Sequence, residues 1–150
     1  MANEMNFKKL KLDKKFQACS IDDGDEIFPN GIFLFNITKM MEYITQNKKL
    51  ITLENIDVEV CRKSYSSCLN EETVLTAQTS NPIVLAEISP GNFNVIDGNH
   101  RLEKAFRDGL KEISAYRLTV NQHVRFLTTA EAYKTYVQYW NSKVAALNDE

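Results

Sequence analysis

The chain has 150 residues, of which 43% are hydrophobic, 25% charged and 10% aromatic, which is ordinary globular usage and excludes a disordered chain. A formal net charge of -2 excludes a whole-molecule electrostatic nucleic-acid binder, which would be distinctly basic. No stretch approaches the roughly 18 apolar residues of a membrane span, and no apolar signal region opens the chain. A single cytoplasmic domain with no membrane partner is expected. The three cysteines, Cys19, Cys61 and Cys68, match no zinc spacing, so reduced and mostly buried thiols are expected.

In chain order, Met1 to Gln17 carries Lys8, Lys9, Lys11, Lys14 and Lys15, interrupted by Leu10, Leu12 and Phe16. It reads as a solvated segment or early strand, with a nucleic-acid patch as the alternative. Asp22, Asp23, Asp25 and Glu26 read as a solvated acidic loop. Pro29-Asn30-Gly31 is a turn signal, and Gly31 to Asn36 a short strand. Ile37 to Gln46 has helical spacing of Ile37, Met40, Met41 and Ile44, with Asn36 as its N-cap. The middle, Asn47 to Ser80, is less patterned and suggests helices at Val58 to Tyr65 and Glu71 to Ala77.

From Pro82 the pattern sharpens. Ile83 to Ile88 and Phe93 to Ile96 read as hairpin strands around the turn Ser89-Pro90-Gly91-Asn92. Glu87, on an otherwise apolar strand, is expected to face solvent. An amphipathic helix follows Asp97-Gly98, with Leu102, Ala105 and Phe106 inward, Glu103, Lys104, Arg107 and Asp108 outward, and Gly109 as its C-terminal cap. Ile113 to Leu118 alternates like a strand, with Ile113, Ala115 and Arg117 opposite Tyr116 and Leu118. A short helix is expected around Gln122 to Phe126, with His123 in a polar turn. Thr128-Thr129-Ala130-Glu131 reads as a capping box for a last helix at about 129–147. Its stripe of Tyr133, Tyr136, Val137, Trp140, Val144 and Leu147 is expected to be a packing face, with a dimer seam as second choice. Hairpins and helices in mixed order predict an α+β domain with a small mixed sheet.

The chemistry concentrates at Asp97-Gly98-Asn99-His100-Arg101. A helix opening straight after a strand gathers unpaired backbone N–H groups and the positive end of the helix dipole, to which Arg101 and His100 add donors. Such a corner attracts an anion, above all a phosphate. Arg101 can grip phosphate oxygens bidentately, or form a salt bridge to Asp97 or Glu103. His100 can donate to a phosphate and carry a proton, or cap local structure. Asp97 can cap the helix, or hold a divalent metal or orient a nucleophile. Gly98 permits a sharp turn and close ligand approach, and Asn99 a hydrogen bond to phosphate, ribose or base.

The block from Pro82 to Leu118, about a quarter of the chain, resembles the ParB/sulfiredoxin-like superfamily. The parts that carry the resemblance are Pro82-Ile83-Val84, Phe93-Asn94-Val95-Ile96, Asp97-Gly98-Asn99-His100-Arg101-Leu102, Gly109 and Ile113-Ser114-Ala115. In that superfamily the helix-opening motif lies against nucleotide phosphates, in partition proteins that use CTP, sulfiredoxins that use ATP and kinases of free serine. Partition proteins read Gly-Glu-Arg-Arg, an aromatic, then Arg, whereas here Glu103 replaces the last arginine. Asn99 stands where sulfiredoxins carry their cysteine. Little chain follows the last helix to form the helix-turn-helix and dimerisation domains of partition proteins.

The resemblance implies a nucleotide- or phosphate-binding domain, a phosphotransferase or NTP hydrolase. Its cofactor would be CTP, ATP or ADP with Mg²⁺, Gly98, Asn99, His100 and Arg101 would hold phosphate, and His100 and Asp97 would be catalytic. The metal ligands stay open, with Glu87 and the acidic loop as further carboxylates. The alternatives are a DNA-associated ParB-like module, nuclease or adaptor, with the same cluster on backbone phosphates, and a protein-interaction domain using the last helix. A homodimer is a further partner reading.

Overall fold

The computed structural model describes residues 7–30, 33–62 and 69–148. Gly31, Cys68 and the end of the helix expected at Val58 to Tyr65 lie outside the described residues. The elements are β1 (Ile27–Asn30), β2 (Phe33–Asn36), α1 (Ile37–Gln46), β3 (Thr52–Asp57), α2 (Val58–Arg62), α3 (Glu71–Thr76), β4 (Ile83–Ser89), β5 (Asn92–Asp97), α4 (Asn99–Arg107), β6 (Glu112–Leu118), α5 (Val120–His123), a 3-10 turn (Val124–Phe126) and α6 (Ala130–Asn148). This is a mixed α+β domain. Among the described residues no helix is long and apolar enough to cross a membrane.

The sheet runs β3-β6-β4-β5, with β4 parallel to β6 and both outer pairs antiparallel. β4 is buried on both faces from Ile83 to Ile88, as a continuous apolar run in a central strand should be. β1 and β2 form a separate antiparallel hairpin. Pro29 sits inside β1, a place open to proline only on an edge.

Two cores lie on the two faces of this sheet. One packs Val84, Ala86, Ile88 and Leu118 against Phe35, Met40, Ile44, Tyr136, Trp140 and Val144 of β2, α1 and α6. The other packs Ile83, Leu85, Ile113 and Ala115 against Val58, Leu102 and Ala105 of α2 and α4. Alternation along β6 divides its residues between the cores as its pattern predicts.

The lysine-rich start is neither a strand nor a free tail. It is an irregular strap laid along α6. Phe7, Leu10 and Phe16 pack against the larger core, and Phe16 stacks on Tyr133 at 3.9 Å. Leu10 N donates to Asn141 Oδ1 at 2.6 Å, Asn141 Nδ2 to Leu10 O at 3.0 Å, and Trp140 Nε1 to Lys8 O at 2.9 Å. Tyr133, Tyr136 and Trp140 are 6%, 0% and 2% exposed, so these three side chains form a packing face, while Leu147 departs from the stripe at 52%.

Local chemistry explains the remaining boundaries. Asn36 caps α1 as expected, its side chain accepting from Lys39 N at 3.0 Å. At α6 the cap falls one residue later than the expected box: Thr129 Oγ1 accepts from Ala132 N at 2.9 Å, while Thr128 Oγ1 donates to Leu34 O. α4 ends in a Schellman motif. Gly109 at φ +76° donates to Phe106 O, and Leu110 N donates to Ala105 O.

Candidate functional site

The corner between β5 and α4 is built on a close approach of two strands' ends. Gly98 is the N-cap of α4 at φ +100°, and a Cβ there would lie 2.6 Å from Ile83 Cγ2 and 2.9 Å from Arg101 Nη2. Both the left-handed backbone and the space exclude any other residue. The first bond inside the helix runs from Leu102 N to Gly98 O at 2.9 Å. By helix geometry the N–H groups of Asn99, His100 and Arg101 therefore have no partner within it. Among the described residues no side chain caps this end.

Asp97 corrects an expectation. It does not cap the helix; its Oδ2 accepts from Arg101 Nη2 at 3.3 Å, one turn on. Arg101 Nη2 also donates to Pro82 O at 3.1 Å, which ties α4 to the start of β4. The salt bridge foreseen for Arg101 is thus present, and it fixes the guanidinium without saturating it. Arg101 Nε is buried and, among the described residues, has no acceptor; Asn99 Oδ1 is buried with no donor. A buried donor left unmade costs about 1–3 kcal/mol, so an arriving anionic oxygen would be favoured there. The Asn99 amide, turned over, offers an N–H in place of its oxygen.

His100 is engaged from the other side. Its Nε2 accepts from Asn70 N at 3.1 Å, and Asn70 in turn caps α3 through Thr73 N at 2.9 Å. The local-structure role foreseen for His100 is present. With Nε2 accepting, the ring proton sits on Nδ1.

Behind the corner lies a charge network whose key residue the sequence pattern misplaces. Glu103 was expected outward but is 5% exposed, and Phe106, expected inward, is 38% exposed. Glu103 Oε1 accepts from Arg62 Nε at 2.8 Å, and Oε2 from Arg107 Nε at 2.9 Å. Arg107 reaches on to Glu71, with Nη2 to Oε1 at 3.2 Å. Arg62 lies over the Phe106 ring at 3.8 Å. Hydrogen bonds from Arg107 hold the Glu71 carboxyl below its usual range. These contacts bind the short helices α2 and α3 to α4, so the acid at the position of the partition proteins' last arginine has a structural use here.

Beside Asp97 an open groove of about 500 Å³ runs along α1, lined by Glu26, Ile37, Thr38, Met41, Glu42, Thr45 and Gln46. Among the described residues no group of three or more His, Cys, Asp or Glu side chains is placed to hold a metal. Asp97 supplies one carboxylate, which fits the way Mg²⁺ is held, by one or two carboxylates with phosphate oxygens and water.

The other sequence candidates are placed elsewhere. Glu87 is buried, not solvent-facing: Oε2 accepts from Gly91 N at 3.0 Å and Oε1 from Val120 N at 3.2 Å. His123 is fully buried rather than in a polar turn, with Nε2 at 2.6 Å from Glu87 O and burial pushing its pKa down to about 4. The acidic loop latches onto α1, with Asp25 accepting from Asn36 Nδ2 at 2.8 Å and Asp22 pairing with Lys39 at 2.7 Å. Its hydrogen bond from Asn36 holds the Asp25 carboxyl low. Cys19 and Cys61 are partly buried, and burial raises the pKa of each.

Compared with protein-family models, with curated proteins and with solved structures, the chain gives no match.

Proposed function

We propose that the chain is a ParB/sulfiredoxin-like domain that binds a nucleotide through its phosphates at the corner between β5 and α4. The observation that carries this reading is the buried Arg101 Nε, which has no acceptor among the described residues, beside the first amides of α4, which no described side chain caps. A phosphate oxygen gives both their missing partner, and the dipole of the helix favours its charge. Gly98 lets the anion approach the backbone, and Asn99 adds a donor or acceptor at the same edge. Asp97 holds Arg101 in place and is the carboxylate nearest to a Mg²⁺ carried in by the nucleotide. His100 brings α3 against the corner and keeps an Nδ1 proton to donate. A phosphoryl group seated there lies next to Asp97 and hence to the groove along α1, where an acceptor or water would stand in a phosphotransferase or NTP hydrolase.

A thermal-shift series with CTP, ATP, ADP and GTP, each with and without Mg²⁺, tests this. At a hundred times its dissociation constant a ligand of the native state stabilises by about 2.7 kcal/mol, or roughly 5–10 °C for a domain of this size. One nucleotide should give that shift, and Arg101→Ala should remove it. No shift with any of them would sink the proposal.

A further inference from the structure

We infer that the strap and the adjoining face of α6 form a docking surface for the phosphate backbone of a nucleic-acid duplex. The strap carries five lysines and one aspartate between Phe7 and Gln17, in a chain whose 18 basic residues are outnumbered by 20 acidic ones. Lys8, Lys9, Lys11, Lys14 and Lys15 are all exposed, and Lys134 and Lys143 of α6 are exposed as well. None of the seven forms an ion pair with another described residue. Asp13, the one acid of the strap, turns its Oδ1 to Lys15 N at 2.9 Å, and its own N–H is held by Tyr133 Oη at 2.8 Å. Glu131 is the acid on the neighbouring turn of α6.

The strap differs from a loose basic tail because its apolar residues and backbone are committed to α6, through Phe7, Leu10 and Phe16 and the bonds from Trp140 and Asn141. The lysines are thereby presented outward from a fixed backbone, which turns at Lys14-Lys15 through the bond from Phe16 N to Asp13 O at 3.1 Å. An extended run from Lys8 to Lys15 spans at most about 25 Å, the reach of several consecutive phosphates. An anionic bilayer would be gripped by apolar side chains inserted beside the lysines. Those side chains are packed against the core and partly buried here, with Leu12 outward at 43% exposure. A single strand would call for free aromatic faces. Phe16 and Tyr133 instead stack on each other. A duplex held by backbone charge, without base reading, is what remains. The strap serves the face of the sheet opposite α4, so this surface is separate from the nucleotide corner.

Fluorescence anisotropy with 20-base-pair DNA and RNA duplexes of unrelated sequence, in 50 mM salt, tests the inference. The full chain should bind them with little sequence preference and lose about a hundredfold in affinity by 200 mM salt, as four phosphate contacts require. The triple variant Lys9→Glu/Lys11→Glu/Lys14→Glu should weaken binding at least tenfold while its melting temperature stays put, and Arg101→Ala should bind duplex as the parent does. Absence of duplex binding, binding untouched by the triple variant, loss of binding in Arg101→Ala, or a preference for phosphatidylglycerol vesicles over either duplex would each overturn it.

Discussion

The two faces of the sheet are held by different physics. On the α6 face, large side chains interlock and the polar groups that enter are neutral: Tyr136 Oη donates to Ile88 O at 2.7 Å, and His123 Nε2 lies 2.6 Å from Glu87 O while its buried Nδ1 has no partner among the described residues. On the α4 face the apolar cluster is smaller, α3 and α4 have only 6 and 9 residues, and α2 has 5 among the described residues. There Glu103, Arg62, Arg107 and Glu71 join helices too short to stand alone. A face assembled from short pieces and charges opens at lower cost than one assembled from aromatic packing. The corner proposed to bind a nucleotide lies on this second face.

The largest test of that contrast is Trp140→Ala. Removing a side chain 2% exposed should cost about 3–5 kcal/mol and lower the melting temperature of the whole domain, strap included. A melt shifted by only a degree or two would show that α6 does not carry the fold.

Acid should act on the same face. His123 has a folded pKa near 4 against an unfolded value near 6.5, so between those values the unfolded chain binds the extra proton. Its share of stability is complete above pH 6.5 and falls as pH drops toward 4, by roughly 3 kcal/mol in all. Urea melts from pH 7 to pH 4 should show this fall, and His123→Gln should flatten it. An equal fall in the variant would assign the acid sensitivity to other groups.

Glu103→Gln sharpens the contrast from the other side. It should cost about 1–3 kcal/mol by leaving two guanidinium groups short of their carboxylate. Amide exchange should accelerate in α2 and α3 and change little in α6. Uniform acceleration would mean the two faces open together.

The central strands and the corner were legible because local chemistry dictates them: the apolar run of β4, the Asp97-Gly98 break and the Schellman glycine at Gly109. β3 was missed because it is an edge strand with Ile56 as its one buried residue, which leaves no alternation to read. β1 was hidden by Pro29, a turn signal that an edge strand tolerates. The alternation of lysine with apolar residues in the strap is real, but it arises from packing on a helix 120 or more residues away. Glu103 obeys the same logic, since its inward turn depends on Arg62, 41 residues back. Asp97 was assigned a cap because a carboxylate before a helix usually finds backbone donors; Arg101, one turn along, competes successfully for it.

The central claim is that Arg101 and the open end of α4 together hold a nucleotide phosphate. Calorimetric titration of the stabilising nucleotide into the parent chain and into Arg101→Ala measures it most directly. Loss of one charge-assisted contact should weaken binding roughly 10- to 100-fold with the fold intact. Equal affinity in the two proteins would contradict it.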